Sequence, residues 1–219
     1  MTTSASPARR RGRPGGSQGT DLLAIARDVF LTHQYAGATM DAVAAGARVS
    51  KQTLYRQYPS KEVLFGAVVR DWVDRGRDAM RPHLQALMES EDVRQGLLEL
   101  SRILHAGVLS PPVLQMRTLI AAEAERFPEV AADYVRRSWD HNQGLLAEAL
   151  RHLGARGLLR IDDPAVAAEQ LTWLALAAPL NRLTLTAGAA RYSAAELDVI
   201  AREAVTTFLD RYGARDSAA

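Results

Sequence analysis

The sequence predicts an all-α protein: an N-terminal domain of three helices joined to a larger C-terminal helical bundle, about nine helices in all. Three observations predict it. Apolar residues recur at three- and four-residue steps from about residue 20 onward. No stretch alternates β-branched and polar residues as a half-buried strand would. Ser, Thr, Asp or Pro stands at the head of the periodic segments, where helices begin.

Residues 1–19 are rich in Ser, Pro, Gly and Arg and carry no hydrophobic pattern, so they read as a flexible basic arm. The first helix is expected from Asp21 to His33, with Leu22, Ile25, Ala26, Val29 and Phe30 as its apolar stripe. Gly37 suits the left-handed turn that would end it. Thr39 is placed to cap a short helix through Ala45, and Ser50 another ending near Tyr55. Ser60, after Pro59, can cap a longer helix through about Asp78. Five more helices follow: Glu91 to Val108 capped by Ser90, Pro111 to Arg126, Pro128 to Arg156, Pro164 to Thr186, and Ser193 to Tyr212. Ser193 and Glu196 have capping-box spacing. Pro179 predicts a kink or break near Ala175. The expected domains are residues 20–66 and 67–215, with the boundary inside the helix that starts at Ser60.

The chain of 219 residues has no cysteine. That excludes a disulfide scaffold, a thiolate zinc site and a cysteine nucleophile, and it fits a reducing cytoplasm. No apolar run follows the N-terminal arginines, so no secretory signal is expected. The longest apolar stretch, Leu171 to Leu180, falls short of the about 20 residues a membrane span needs. Residues 1–61 hold nine Lys or Arg against three Asp or Glu, net +6, while the remainder is −4. A basic end on an otherwise acidic protein points to a polyanionic partner, although a solvated tail would show the same balance.

Residues 39–58, TMDAVAAGARVSKQTLYRQY, join two short helices through a tight turn. Ala44 is small where the helices must approach, and Val43, Val49 and Leu54 fall at inward positions. The second helix opens with Ser50, Lys51, Gln52 and Thr53, a cluster of hydrogen-bonding groups. A recognition helix needs such groups at its start, because those residues reach base edges in the major groove of double-stranded DNA. Tyr55 and Lys61 flank the helix and can bind phosphates. A helical hairpin with a polar outer face would carry the same pattern.

Residues 20–66 resemble the TetR family of repressors, above all in the string Leu54-Tyr55-Arg56-Gln57-Tyr58-Pro59-Ser60-Lys61-Glu62. The resemblance implies that the helix from Ser50 reads the groove. It also implies that Thr39, Tyr55 and Lys61 hold phosphates and that Lys51, Gln52 and Thr53 lie nearest the bases. Tyr58 stands where the family usually has Phe, so its ring is expected in the core. One position departs from the pattern: Arg48 occupies the turn where the family usually has Gly, at a cost of about 1–2 kcal/mol if the turn is left-handed. Upstream, Arg9, Arg10, Arg11, Gly12, Arg13 and Pro14 are similar to the core of an AT-hook, which lays arginines into a narrow minor groove. A solubilising tail is the alternative.

Leu114 to Pro128 and Asp162 to Gln170 resemble the C-terminal domain of the AefR-like subgroup, which implies a helical bundle that dimerises and binds an effector. Two stripes are candidates for a homodimer interface: Leu197, Ile200, Ala201, Ala204 and Phe208, and Ala168, Leu171, Ala175 and Ala178. An intrachain core is the other reading. Trp72, His105, Met116, Ile120, Trp139 and Trp173 are candidates for a pocket taking a small apolar effector, with Arg117 and Glu123 as its polar groups. For each of the apolar candidates, a place in the core is the favoured reading. His141, Glu148 and His152 share a helical face, but with no further ligand evident they read as surface residues rather than a metal site. No phosphate loop, nucleophile elbow or HExxH is present, so neither an enzyme nor a cofactor is expected. The predicted function is a cytoplasmic, homodimeric repressor that binds near-palindromic operator DNA and is released by a small apolar effector. The alternative is a dimeric DNA-binding protein with no small ligand.

Overall fold

The computed structural model describes residues 19–214. The expected all-α architecture is borne out: among the described residues the chain is helical with no named strand. The elements are α1 (Gly19–Gly37), α2 (Met40–Gly46), α3 (Lys51–Gln57), α4 (Lys61–Gly76), α5 (Arg81–Glu89), α6 (Val93–Val108) and α7 (Pro111–Ala122). Then come α8 (Pro128–Tyr134), a π-helical turn (Val135–Asp140), α9 (His141–Ala155), α10 (Pro164–Leu185) and α11 (Ala194–Tyr212). The chain divides after Val68, inside α4, into two compact units.

In the first unit α1 buries Leu22, Ala26 and Phe30. Phe30, Tyr35 and Phe65 form an aromatic cluster, with Phe65 edge-on at 5.3 Å to Phe30 and 5.2 Å to Tyr35. The left-handed residue near the end of α1 is Gln34 (φ 56°), not Gly37 as expected. The chain turns one residue before Tyr35, whose ring is thereby fully buried in that cluster. Gly46 permits the close approach of α2 to α1, since a Cβ there would lie 2.9 Å from the Ile25 side chain. Arg48 takes a left-handed conformation (φ 54°), so the turn keeps its geometry despite the non-glycine residue.

In the second unit α10 packs against α6, α9 and α11, and α5 against α6 and α9. Leu97, Leu100, Leu150, Leu171, Leu176 and Phe208 are at its core. Helix α5 lies between the helices expected to end near Asp78 and to begin at Glu91, where the sequence predicts none. Pro82 looks like a breaker there, but it sits in the first turn of α5, where its missing N–H costs nothing. Asp92 rather than Ser90 caps α6, accepting from the Gln95 amide at 2.9 Å. The long helix expected from Pro128 is interrupted by the π-turn. The capping box of Ser193 and Glu196 forms as expected.

Helix α10 is not broken at Ala175. Pro179 has no N–H to give the Ala175 carbonyl. The buried His105 supplies the missing donor, its Nε2 lying 2.9 Å from that oxygen. A carbonyl only accepts, so Nε2 carries the proton.

The stripes proposed for self-association are largely intrachain core. Ala168, Leu171, Ala175, Ala201, Ala204 and Phe208 are all buried within the chain, because α6, α9 and α11 already cover those faces. Ala178 of the predicted stripe is exposed, and the exposed large apolar residues of α10 are Val166, Trp173, Leu174 and Leu185.

His105→Leu should strand a buried carbonyl and destabilise the fold by about 1–3 kcal/mol. Thermal unfolding followed by circular dichroism should show the drop. An unchanged transition would mean that α10 does not need the His105 bond.

Candidate nucleic-acid interface and ligand cavity

Helices α2 and α3 have seven residues each. Both are fixed at their starts by side chains. Thr39 Oγ1 accepts from the Ala42 amide at 3.1 Å, and Ser50 Oγ from the Thr53 amide at 3.0 Å. Thr53 Oγ1 lies 2.9 Å from the Ser50 hydroxyl. Lys51 reaches back to the first turn of α2 and pairs with Asp41 at 2.7 Å, which raises the Lys51 pKa. From below, Leu54 buries fully and anchors α3 on the core of the first unit.

The outward face of α3 carries Lys51, Gln52, Tyr55 and Arg56, all exposed. Among the residues expected to meet DNA, Lys51, Gln52 and Tyr55 therefore lie together on one open face. Thr39, Ser50 and Thr53 border it, with their oxygens engaged in capping. Sequence reasoning passed over Arg56, one helical turn beyond Gln52, and the exposed Arg48 in the preceding turn. The four-residue spacing from Gln52 was the signal for Arg56.

Lys61 is placed differently from expectation. Its Nζ donates to the carbonyls of Tyr35 (2.9 Å) and Ala38 (3.0 Å) and sits 4.5 Å from the Tyr35 ring centroid. It closes the end of α1, because the turn at Gln34 leaves carbonyls there that need a donor. Half-buried Tyr58 follows α3 as its C-cap. Arg9, Arg10, Arg11 and Arg13 lie outside the described residues.

The second unit contains a cavity of about 110 Å³ between α5, α6, α7, the α8–π–α9 segment and α10. Leu84, Leu100, Leu104, Leu146 and Leu176 supply much of its apolar wall. Of the pocket residues expected from sequence, Arg117 and Trp139 line it. His105 does not line it and is committed to Ala175. Met116 and Ile120 are buried in the core outside the lining. Glu123 caps the end of α7, and Trp72 is half-buried on α4, both away from the cavity. Trp173 is 40% exposed and packs its ring 5.1 Å from that of Trp139.

The polar lining residues missed in the sequence are Tyr134, Ser138, Asn142, Gln143 and Thr172. Tyr134, Ser138 and Asn142 are four apart, and that spacing was the legible signal. Burial raises the Tyr134 pKa, while the Arg117 charge and a hydrogen bond with Ser138 lower it in part. Elsewhere, Glu148 pairs with Arg151 at 2.7 Å, and among the described residues no three His, Asp or Glu gather as metal ligands would.

Residues 22–68 match the bacterial regulatory proteins of the tetR family, and residues 95–214 match the AefR-like transcriptional repressor C-terminal domain. The chain belongs to the TetR family. A TetR-family transcriptional regulator from Mesorhizobium loti MAFF303099 has a similar structure, with a TM-score of 0.84 and 31% identity over 90% of this chain and 100% of that one. The helix-turn-helix-type regulator Mb1581 of Mycobacterium bovis is 28% identical over 150 residues, 66% of either chain, just under two thirds of its length. The transcriptional activator FasR of Mycolicibacterium smegmatis is 36% identical over 110 residues, 44% of this chain and 49% of that one. As a TetR-family protein the chain is a DNA-binding transcriptional regulator. No helix among its described residues is long and apolar enough to cross a membrane.

Two substitutions separate positioning from reading. Lys61→Ala should lower the thermal unfolding temperature as well as DNA affinity, because it opens the end of α1. Gln52→Ala should change which bases are preferred and leave unfolding unchanged, a good base contact being worth about 1–3 kcal/mol of discrimination. Lys61→Ala with native stability and a weaker salt dependence of binding would instead make Lys61 a phosphate contact.

Proposed function

We propose that this TetR-family protein is a homodimeric repressor. Each protomer would lay α3 in the major groove of a near-palindromic operator, and a small effector in the C-terminal cavity would release it. The observation that carries the DNA half of this reading is the open face of α3, where Lys51, Gln52, Tyr55 and Arg56 project from a helix capped at Ser50 and anchored by Leu54. Lys51, Gln52 and Thr53 are the residues proposed nearest the bases, and Tyr55, Arg56 and Thr39 those nearest phosphates. The arginines of the arm, Arg9 to Arg13, are proposed for the minor groove. The chemistry is binding, not catalysis, and the site of action is the cytoplasm.

The exposed side of α10 supports self-association. Trp173 and Leu174, with Gln170 and Arg211, edge an open groove of about 460 Å³. A second copy of the chain is the proposed occupant, since Trp173 and Leu174 leave adjoining apolar surface exposed there. The cavity favours an effector-responsive regulator over a protein whose C-terminal half only dimerises.

The wall of the cavity suggests the coupling. Asp133 pairs with Arg70 at 3.8 Å, and Arg137 pairs with Asp74, so α8 and the π-turn hold residues 69–76 of α4. Next to those two residues in sequence, Tyr134 and Ser138 line the cavity. An effector that favours one position of this wall would favour one position of α4, and operator must weaken effector binding by the same factor.

Selection of bound DNA from a random pool, with sedimentation of the free and bound protein, tests the first part. The expected outcome is a twofold-symmetric site bound by a protein that is dimeric when free. A monomer on a non-symmetric site would overturn the reading. Arg137→Met tests the coupling. It should retain operator and effector affinity while reducing the effector-induced loss of DNA affinity, which is typically about 5–150-fold. Unchanged release would place the coupling elsewhere.

A further inference from the structure

The cavity has one polar side whose chemistry is specific. Arg117 is the charged residue of its lining, and among the described residues it has no ion-pair partner. Its guanidinium instead lies 5.8 Å from the ring centroid of Trp139. The Tyr134 hydroxyl feels that charge and lies beside Ser138. These groups offer hydrogen-bond donors and a positive charge to one point of the cavity.

The adjacent residues offer acceptors. Asn142 Nδ2 donates to the Ser138 carbonyl at 2.8 Å. That partner can only accept, so the amide orientation is fixed and Oδ1 is turned away. Asn142 Oδ1 is buried with no protein partner. Gln143 Nε2 is bonded to Thr172 Oγ1 at 3.0 Å, and Gln143 Oε1 is likewise buried without a partner. Buried acceptors are costly unless a donor reaches them. The π-turn between Tyr134 and His141 shifts the register of this wall, and such turns recur at functional sites.

The remaining surface sets size and shape. About 110 Å³ is of the order of the roughly 150 Å³ cavity that holds benzene. The leucines and the Trp139 ring suit a flat apolar body.

We propose that the effector is a small one-ring acid with a hydroxyl or similar donor, its carboxylate or phenolate at Arg117 and Tyr134 and its donor at Asn142 and Gln143. This inference rests on reading the cavity as the effector site, and it replaces a purely apolar effector with an amphiphilic one. Arg117 and Asn142 then determine specificity, the first for charge and the second for the donor.

Calorimetric titration of the intact dimer with matched probes tests it: 4-hydroxybenzoate, its neutral counterpart 4-hydroxybenzamide, 4-methylbenzoate, which lacks the donor, and p-xylene, which lacks both. 4-Hydroxybenzoate should bind at least about ten-fold tighter than each of the others, the effect of one charged or buried hydrogen bond. Arg117→Met should abolish the preference for acid over amide and keep the preference for hydroxyl over methyl. Asn142→Leu should do the reverse. Each variant serves as the other's folding control.

Equal binding of acid and amide by the unaltered protein would overturn the proposal, as would an acid preference that survives Arg117→Met. Tight one-to-one binding of p-xylene, with no gain from charge or hydroxyl, would overturn the ligand class and leave the cavity as the effector site. Failure of all four probes to bind at millimolar concentration would overturn both.

Discussion

The second unit depends on one buried hydrogen bond. Helix α10 is 22 residues long with Pro179 in its interior. A proline there leaves the carbonyl four residues back without its donor. That carbonyl belongs to Ala175, which is fully buried, so water cannot serve it. His105 on α6 does. The bond fixes α6 against α10, and α10 in turn touches α7, α9 and α11. Thr172 and Leu176, on either side of Ala175 along the helix, wall the cavity, while Trp173 and Leu174 face outward. His105, expected from the sequence to line a pocket, thus holds the frame in which the cavity exists.

The reading head faces a different constraint. Seven-residue helices are far below the about 12–15 residues at which an isolated helix becomes marginally stable. Capping and packing must therefore hold α2 and α3 in place. Thr39 and Ser50 cap, Leu54 and Ala44 pack, and the Lys51–Asp41 pair ties the two helix starts together. That pair is exposed at both ends, so its contribution to stability is small. It leaves Lys51 available to exchange a carboxylate for a phosphate. Gln52, Tyr55 and Arg56 have no such structural duty among the contacts that hold α3, and surface position is what they contribute.

Much of this was legible in the sequence, for a definable reason. Helix starts depend on local chemistry, and Thr39, Ser50, Asp163 and Ser193 cap where their neighbours in sequence say they should. What local chemistry could not give was the choice of partner across space. Alanines on α10 and α11 look the same whether they meet another chain or α6 and α9, and here they meet the latter. His105 reads as a polar group on an apolar helix until Pro179, far away in sequence, is placed beside it. Lys61 reads as a free cation until the turn at Gln34 leaves carbonyls at the end of α1 for it to close. Asn142 and Gln143 reach the cavity on a wall whose register a π-turn alters, and a regular 3.6-residue period does not reveal that.

The wall from Pro128 to Ala155 joins these two scales. Tyr134, Ser138, Trp139, Asn142 and Gln143 line the cavity, while Asp133 and Arg137 reach α4. On the proposed reading, a ligand that shifts the cavity side of this wall would shift its ion pairs to α4 as well. A ligand with equal affinity for both positions of the wall would change nothing, however tightly it bound. The about 110 Å³ available is less than the roughly 150 Å³ cavity that holds benzene, so a one-ring ligand with two polar substituents would have to push the wall. The work of pushing would lower its affinity for the arrangement seen here. Differential affinity is thereby built from size and polar placement together. On the proposed reading, contacts with Arg117 and Asn142 would set how much ligand is needed, and displacement of the π-turn would set how far residues 69–76 of α4 respond.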